Sequence, residues 1–335
     1  MASRLAAIAV LAAALSAQWS DDRYPFVNKD GKLGFIDATG KEVIPAQFFP
    51  IADMSHFSDG LAPVNGPEGG GYVDRSGQFV IGPTKEWGQP RQFSEGIAAV
   101  LIWAKTKNTY NTPAFIDRTG RIVLSGARVR ESSYFSEGLM PMEEGGRWGF
   151  VDRSFNWVVP PQFAHAGELS EGLAPVRIGT KEGFADRDGK MIIPPRYDDV
   201  WGFNNGAARV RLNGLFGYVD RSGREIIRTQ YEDAGYFSEE RAFVRTPNAA
   251  YSMMINKSGD AITKPVYELA AEFSEGSAAV RDQGLWGFVD HSGAWMIRPT
   301  FLDAHGFWRG LAQVAWKDGR GYIDKKGRTV FKIPS

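Results

Sequence analysis

One short motif recurs along almost the whole chain and sets its architecture. An aromatic residue, a branched aliphatic residue and Asp are followed, after two further residues, by Gly, as in YVDRSG from Tyr72. Counted by its aspartate, the motif or a close variant occurs at Asp37, Asp74, Asp117, Asp152, Asp186, Asp220, Asn256, Asp290 and Asp324. Successive copies lie 34 to 43 residues apart. A period of this size indicates one repeat array rather than several unrelated domains.

A second motif keeps step with the first and divides each unit into strands. It appears as LSEGLAPV from Leu169 and, with small changes, from Phe57, Phe93, Phe135 and Phe273. In the fifth unit, LAPVRI, EGFAD and KMIIP predict three strands. Asp followed by Gly three residues later favours a tight hairpin between the second and third strands. Pro194 and Pro195 are expected to end the third strand.

The units must stack, because one unit of about 34 residues buries too little apolar surface to fold alone. Tyr197 and Phe203 recur as a pair of apolar positions in other units and are predicted to fill the gaps between neighbours. Three strands are fewer than the four of a typical propeller blade, and nine units exceed the usual range of about four to eight blades. YPFV from Tyr24 supplies the first strand, so no strand is left over to close a ring. We therefore expect an all-β, open, twisted, solenoid-like array of nine three-stranded antiparallel units, with a closed β-propeller as the alternative.

The N-terminus has the three-part pattern of an export signal. Residues 1–4 are short and basic, residues 5–15 are uninterruptedly apolar, and small residues follow at Ser16 and Ala17. Eleven apolar residues are too few to span a bilayer, which needs roughly 20. The sequence predicts a signal peptide at 1–17, cleaved after Ser16 or Ala17, and a repeat domain at 18–335. The localisation that follows is secreted or periplasmic, with no integral membrane segment after removal of the signal.

The repeated unit resembles the WG-repeat family of bacterial β-repeat proteins. The resemblance rests on LAPV, Trp-Gly-Phe-Val-Asp, Ser-Gly, Ile-Ile-Pro-Pro and Phe-Ser-Glu-Gly, and extends from about Tyr24 to Phe331. The Trp-Gly pair itself survives only at Trp148 with Gly149 and at Trp286 with Gly287. The resemblance implies a β-repeat scaffold and brings no enzyme activity or catalytic residue with it.

Composition and motifs argue against several kinds of chemistry. The chain has no cysteine, which excludes disulfides and thiolate metal sites. Its 39 basic and 39 acidic residues cancel, so a protein that coats nucleic acid is not expected. The four histidines, His56, His165, His291 and His305, share no metal-ligand spacing. We expect no enzyme, no cofactor, no metal site and no nucleic-acid partner.

The recurring charged positions have a structural and a functional interpretation. The aspartate column is interpreted as turn-forming, with a calcium ladder as the alternative. The residue after each Asp is basic in seven of nine units, and the residue before the second motif's Gly is mainly acidic. These two columns predict solvated edges that exchange exposed salt bridges, with docking of an anionic polymer on the basic edge as the alternative.

Aromatic residues in the irregular segments are the candidates for ligand binding. The hairpin that begins LIWAKTKNTYNTP is about seven residues longer than its equivalents. The candidates are Trp87, Trp103, Tyr110, Trp201 and Trp308. Aromatic side chains on a rigid edge stack on sugar rings or anchor a partner protein, whereas their structural role would be to pack between units.

The sequence therefore predicts an exported, non-enzymatic repeat scaffold that mediates protein–protein interaction. A carbohydrate or cell-wall binding module is the alternative. The expected partner is accordingly a protein or, in the alternative, a polysaccharide.

Overall fold

The protein is a ring of nine small antiparallel β-sheets, which makes it a nine-bladed β-propeller. The computed structural model describes residues 22–51, 55–104, 109–126 and 134–335, without the side chains of 104 and 109–111. The predicted signal peptide at 1–17 lies outside the described residues. Within those residues, no helix is long and apolar enough to cross a membrane.

Each blade is a meander of consecutive strands, numbered here in chain order. The four three-stranded blades are the first, second, fourth and seventh. Their strands are β1 Tyr24–Val27, β2 Leu33–Ile36, β3 Glu42–Phe48; β4 Ala62–Gly66, β5 Gly69–Val73, β6 Phe79–Thr84; β11 Met140–Glu144, β12 Arg147–Val151, β13 Trp157–Phe163; β22 Asp233–Ala234, β23 Arg241–Arg245 and β24 Met253–Asn256.

The other five blades have four strands. These are β7 Trp87–Gly88, β8 Ile97–Ala104, β9 Thr109–Asp117, β10 Ile122–Ser125; β14 His165–Ala166, β15 Leu173–Ile178, β16 Lys181–Asp186, β17 Met191–Tyr197; β18 Asp199–Asn204, β19 Ala207–Leu212, β20 Leu215–Val219, β21 Glu225–Tyr231; β25 Leu269–Ala270, β26 Ala278–Asp282, β27 Leu285–Val289, β28 Trp295–Phe301; β29 Asp303–Ala304, β30 Leu311–Trp316, β31 Gly319–Asp324 and β32 Thr329–Pro334.

The prediction of three strands per unit is therefore incomplete. In the fifth blade the linker contributes β14, whose His165 and Ala166 pair with Arg177 and Val176 of β15. A two-residue strand has no periodicity of its own, so it forms only because the neighbouring strand offers a free edge. The strand-count argument against a propeller loses its basis.

The Asp-x-x-Gly turn has the predicted hairpin role. Asp186 Oδ1 accepts hydrogen bonds from the amides of Asp188 and Lys190 at 3.0 and 2.9 Å, and Gly189 has a φ of +80°. Asn256 makes the same two contacts through its own Oδ1, to Ser258 and Asp260. An Asn amide oxygen accepts hydrogen bonds as a carboxylate does, which explains why the seventh unit keeps its phase.

Pro194 and Pro195 do not end the third strand, contrary to expectation. β17 runs through both of them to Tyr197, and the register with β16 shifts between Glu182 and Phe184. β17 is the last strand of its sheet. Proline is tolerated in an edge strand and at a bulge, where its missing N–H removes no ladder hydrogen bond.

The core lies between blades, because each strand directs alternate side chains toward the preceding and the following sheet. Ala174 and Val176 of β15 pack with Phe163 of the fourth blade, whereas Leu173 packs with Tyr197 and with Phe203 of the sixth blade. Tyr197 and Phe203 are both buried, which confirms that they fill the gap between units. Nine such clusters are found among the described residues, one at each interface of the ring.

The turn glycine also contacts the neighbouring blade. A Cβ added to Gly189 would lie 2.7 Å from Cγ1 of Val159 in the fourth blade. The fourth blade has Phe155 in the place of this glycine, at a φ of +61°, and its ring packs against Phe115 and Phe135. Gly therefore serves both the left-handed backbone and the close approach of neighbouring blades.

The prediction of an open array is wrong, because the ninth cluster joins the last blade to the first. It contains Tyr24, Phe26 and Ile36 together with Leu311 and Tyr322. Closure needs no strand carried over from the other terminus, since whole sheets pack face to face at this seam as they do elsewhere in the ring. The lack of a leftover strand, on which the expectation of an open array rested, therefore did not exclude a ring.

Candidate functional site

In the part of the chain that the structure describes, a belt of side-chain hydrogen bonds joins six of the nine blades to the blade that follows, through the Ser-Glu-Gly motif. Ser170 Oγ donates to the carbonyl oxygen of Phe203 in the next blade at 2.6 Å. Glu171 accepts from the amide of Gly206 in that same blade at 3.0 Å. The serine contact recurs at Ser58, Ser94, Ser136, Ser238 and Ser274. The acidic column is therefore largely engaged in holding blades together.

The basic column lies beside this belt. Arg153 pairs with Glu95 of the preceding blade at 2.7 Å, and Lys325 pairs with Glu275 at 3.2 Å. These contacts agree with the interpretation of the two columns as edges that exchange partly exposed salt bridges. Docking of an anionic polymer on the basic edge stays a prediction.

Where the structure describes both motif positions, two blades have other residues in the places of Ser and Glu. The sixth has Asn204 and Asn205 in the place of Ser and Glu, and the ninth has Trp308 and Arg309. Arg309 forms an ion pair with the buried Asp22 at the start of the first blade. The ninth blade therefore replaces a standard belt contact with a specific contact across the seam.

A cavity lies near the axis of the propeller, inside the ring formed by the Ser-Glu-Gly motifs of successive blades. The cavity has a volume of about 410 Å³ and is lined by equivalent residues of five consecutive blades. Each is the residue directly before the aromatic or Leu that opens the second motif, and they are Tyr134, Glu168, Gly202, Tyr236 and Glu272. Side chains from the fourth and eighth blades share one cavity only if it surrounds the ring axis. We call this cavity the acidic pocket.

The acidic pocket contains carboxylates without an ion-pair partner among the described residues. Burial raises the pKa of Glu168, and burial also raises that of Glu272 against the opposing effect of Arg209. The Arg209 guanidinium lies 4.0 Å from the ring centroid of Trp201 and 4.7 Å from that of Tyr236. Arg209 also donates to the carbonyl oxygen of Ala234, and the described lining of the pocket contains the two carboxylates and no Lys or Arg.

A second cavity of about 430 Å³ lies at the seam between the last and first blades. It draws its lining from the ninth, first, second and third blades, and the lining consists of Tyr24, His56, Phe57, Ser58, Gln92, His305, Gly306, Trp308, Leu311, Gln313 and Tyr322. The Trp308 ring meets Tyr24 edge-on at 5.5 Å and His56 at 5.4 Å between centroids. Burial lowers the pKa of His56, which favours its neutral form. We call this cavity the seam pocket.

The five aromatic candidates lie in the third, sixth and ninth blades. Trp87 is 3% exposed and packs on Tyr72, so it belongs to the core between the second and third blades. Trp201 carries Arg209 on its face, and Trp308 lies in the seam pocket at 36% exposure.

The structure pairs two of the candidates in the long hairpin. Trp103 of β8 lies opposite Tyr110 of β9, whose side chain is outside the described residues. The Trp103 amide donates to the carbonyl oxygen of Glu86 at 2.9 Å. Ligand binding by the five aromatic residues stays a prediction.

Sequence reasoning missed the lining of the acidic pocket. Tyr134, Glu168, Tyr236 and Glu272 all precede the motif's aromatic or Leu position. The sequence signal for this lining was a position next to a recurring motif whose residue type differs from one unit to the next. Within the described ranges, no group of three or more His, Asp or Glu side chains is arranged to hold a metal ion.

Six stretches of the sequence match the family model of the WG containing repeat. The matches cover more than half of the chain, at residues 34–65, 148–181, 183–216, 216–246, 253–286 and 286–319. A search of curated proteins found no match.

Solved structures align with this chain at low sequence identity, and one of those named here has a TM-score above 0.5. A eukaryotic initiation factor aligns with a TM-score of 0.67 at 11% identity, over 93% of this chain and 95% of that chain. BamB from Moraxella catarrhalis aligns with a TM-score of 0.44 at 12% identity, over 84% and 94% of the two chains. The dihydro-heme d1 dehydrogenase NirN gives 0.45 at 10% identity, over 94% and 73%. The alignment with the initiation factor, at 11% identity, supports a shared fold and nothing further. The alignments with BamB and NirN support no statement about this chain.

Proposed function

The chain belongs to the WG containing repeat family, and from this premise we propose that it is a protein-interaction scaffold that receives its partner at the acidic pocket. The observation that carries the proposal is the convergence of side chains from five blades on one cavity. A rigid ring presents such a cavity without first having to order it, so little conformational entropy is lost on binding.

The chemistry at the mouth of the pocket suits a protein surface. Tyr134 is 53% exposed there, and tyrosine contributes both an apolar ring and a hydroxyl to interfaces. Glu168, Tyr236 and Glu272 add acceptors around it. A partner that presents basic residues matches this pattern by charge.

The test compares the full chain with variants in the pocket. The wild-type protein and the double variant Tyr134→Ala, Glu168→Gln are each used as bait against an extract of the native host's envelope. We expect proteins that the wild type retains to be lost by the double variant. They should be retained by Tyr251→Ala, which removes a tyrosine of the seventh unit that is 46% exposed and lines neither pocket. Equal retention by the pocket variant would contradict the proposal.

We also propose that the chain is exported. The proposal rests on the basic, apolar and small-residue segments within residues 1–17. Mass spectrometry of the protein purified from its host should give an N-terminus at Ala17 or Gln18. An intact Met1 in the purified protein would contradict export through this signal.

The scaffold is proposed to act without catalysis. Its recurring acidic groups are engaged structurally: Asp186 Oδ1 accepts two backbone amides, and Glu171 accepts the amide of Gly206. Carboxylates held in this way have little freedom to exchange protons with a substrate.

A carbohydrate or cell-wall binding module is the second candidate function. The observation that favours it is the exposure of Trp308 inside the seam pocket. An array of immobilised glycans tests this candidate independently of any protein partner.

A further inference from the structure

We propose that the seam pocket binds a neutral pyranose ring of a saccharide, stacked on Trp308 and hydrogen-bonded by the surrounding amides and imidazoles. The inference rests on the second candidate function and gives it a site and a ligand class. It is independent of the protein partner proposed for the acidic pocket.

The charge of the lining selects a neutral ligand. None of the described lining residues is Asp, Glu, Lys or Arg. The polar side chains comprise two amides, Gln92 and Gln313, and two imidazoles, His56 and His305, with the hydroxyl of Ser58. Amides both donate and accept hydrogen bonds, as sugar hydroxyls do, and so does an imidazole in the neutral form that burial, by lowering the pKa, favours for His56. The acidic pocket has carboxylates in comparable places and lacks this neutrality.

The apolar part of the lining suits the face of a sugar ring. Trp308 presents an exposed indole that is held in place by its edge contact with Tyr24 and by the Arg309 guanidinium, which lies 4.9 Å from its ring centroid. The hydroxyls of Tyr24 and Tyr322 are already engaged, with the carbonyl oxygens of Arg309 and Pro25 at 2.6 Å each. The two tyrosines therefore contribute ring surface rather than polar groups. A mainly aromatic wall with a few polar groups is typical of small-ligand sites.

Two lining side chains hold a polar atom that lacks a partner. Nδ1 of His56 and Oε1 of Gln313 are buried, and neither has a hydrogen-bond partner among the described residues. Buried polar atoms are nearly always paired, so an unpaired one calls for an explanation. A ligand hydroxyl supplies the missing partner once the imidazole or the amide turns toward the pocket.

The repeat itself shows that Trp308 is not required by the fold. Six other blades have Ser at this position, and each of those serines hydrogen-bonds the next blade. Trp308 does not form the serine's hydrogen bond, and its indole lies in the seam pocket instead. A departure from a local structural rule is expected at functional positions.

The experiment uses the full chain on an array of neutral and acidic glycans, followed by calorimetry with the neutral glycan that binds best. We expect Trp308→Ala to weaken that binding at least tenfold. Gln92→Ala, which removes an exposed amide without changing the packing of the seam, should weaken it several-fold. Tyr251→Ala, which removes an exposed ring that lines neither pocket, serves as the matched control and should bind as the wild type does.

Four results would overturn the inference. Binding confined to acidic glycans, or no glycan binding at all, would refute a neutral-sugar site. Glycan binding that survives both Trp308→Ala and Gln92→Ala would place the carbohydrate elsewhere, leaving the second candidate function intact. Displacement of the glycan by adenosine but not by the free monosaccharide would identify the pocket as a nucleoside site.

Discussion

The hydroxyl of Tyr322 donates a 2.6 Å hydrogen bond to the carbonyl oxygen of Pro25, 297 residues earlier in the chain. The same kind of contact joins adjacent blades elsewhere, from Tyr218 to Gly235 at 2.6 Å and from Tyr72 to Arg91 at 2.7 Å. The seam between the last and first blades is thus held by a contact that the internal interfaces also use.

Removal of this hydroxyl tests whether the seam contributes to stability. Tyr322→Phe should lower the free energy of unfolding by about 1 kcal/mol, because a buried carbonyl loses its donor. Tyr218→Phe makes the same change at an internal interface and should cost a similar amount. Urea unfolding of both variants provides the measurement. A cost at Tyr218 with none at Tyr322 would indicate that the seam is not closed in solution.

The turn glycine provides a second comparison of matched sites. Gly179 and Gly189 both have positive φ, at +63° and +80°, but only Gly189 lies against a neighbouring blade. Gly179→Ala should cost about 1 kcal/mol from backbone strain alone. Gly189→Ala should cost about 1–3 kcal/mol more, because its methyl group would overlap Val159. Equal costs in thermal or urea unfolding would show that blade contact does not constrain this position.

Loss of one hydrogen bond of the belt should lower the free energy of unfolding by less than Gly189→Ala does. Ser170→Ala removes the hydroxyl that donates to Phe203 and should lower stability by about 1 kcal/mol. Ser154→Ala is the control, because this serine is exposed and only its amide, which the substitution keeps, forms a hydrogen bond within the described chain. If the two variants unfold at the same urea concentration, the belt is not a significant source of stability.

Acid should weaken the hairpin turns. The side-chain hydrogen bond from Ser76 lowers the pKa of Asp74 below its usual value, against a smaller opposing effect of burial. A depressed pKa in the folded state means that this contribution is present above the unfolded pKa, about 3.9, and is lost as pH falls through the folded value. NMR titration of Asp74 should show the lowered pKa.

The variant Asp74→Asn separates this effect from general acid unfolding. An Asn at this position can still accept the turn hydrogen bonds, as Asn256 does. The variant should therefore lose less stability than the wild type between pH 7 and pH 3. A wild type and variant that lose stability equally would show that the Asp74 turn does not contribute to the acid sensitivity.

The elements set by local chemistry were predictable from the sequence. The role of Asp186 in the turn follows from its side-chain oxygen and the left-handed glycine beside it, and both lie within a few residues. The burial of Tyr197 and Phe203 follows from their recurrence at the unit boundary. Such features repeat in most copies and need no knowledge of how the copies are arranged.

Ring closure and the binding cavities depend on relations that no single unit contains. The angle between neighbouring blades decides whether Tyr322 reaches Pro25, and this angle results from packing summed over the whole ring. The same holds for tryptophans: Trp87 is enclosed by an adjacent blade, whereas Trp308 remains exposed in a cavity. Residue type alone did not distinguish the two environments.

Closure of the ring is tested most directly by the distance between its first and last blades. The native chain has no cysteine, so Lys29→Cys with Lys317→Cys gives a clean pair of spin labels on either side of the seam. Lys29 and Lys317 line one shared surface cavity. Double electron–electron resonance should give a narrow distribution of label-to-label distances at about 10–30 Å, which is the spacing of adjacent sheets plus the length of the label arms. An open stack of nine sheets about 10 Å apart would place the labels about 80 Å apart, and that result would contradict the propeller.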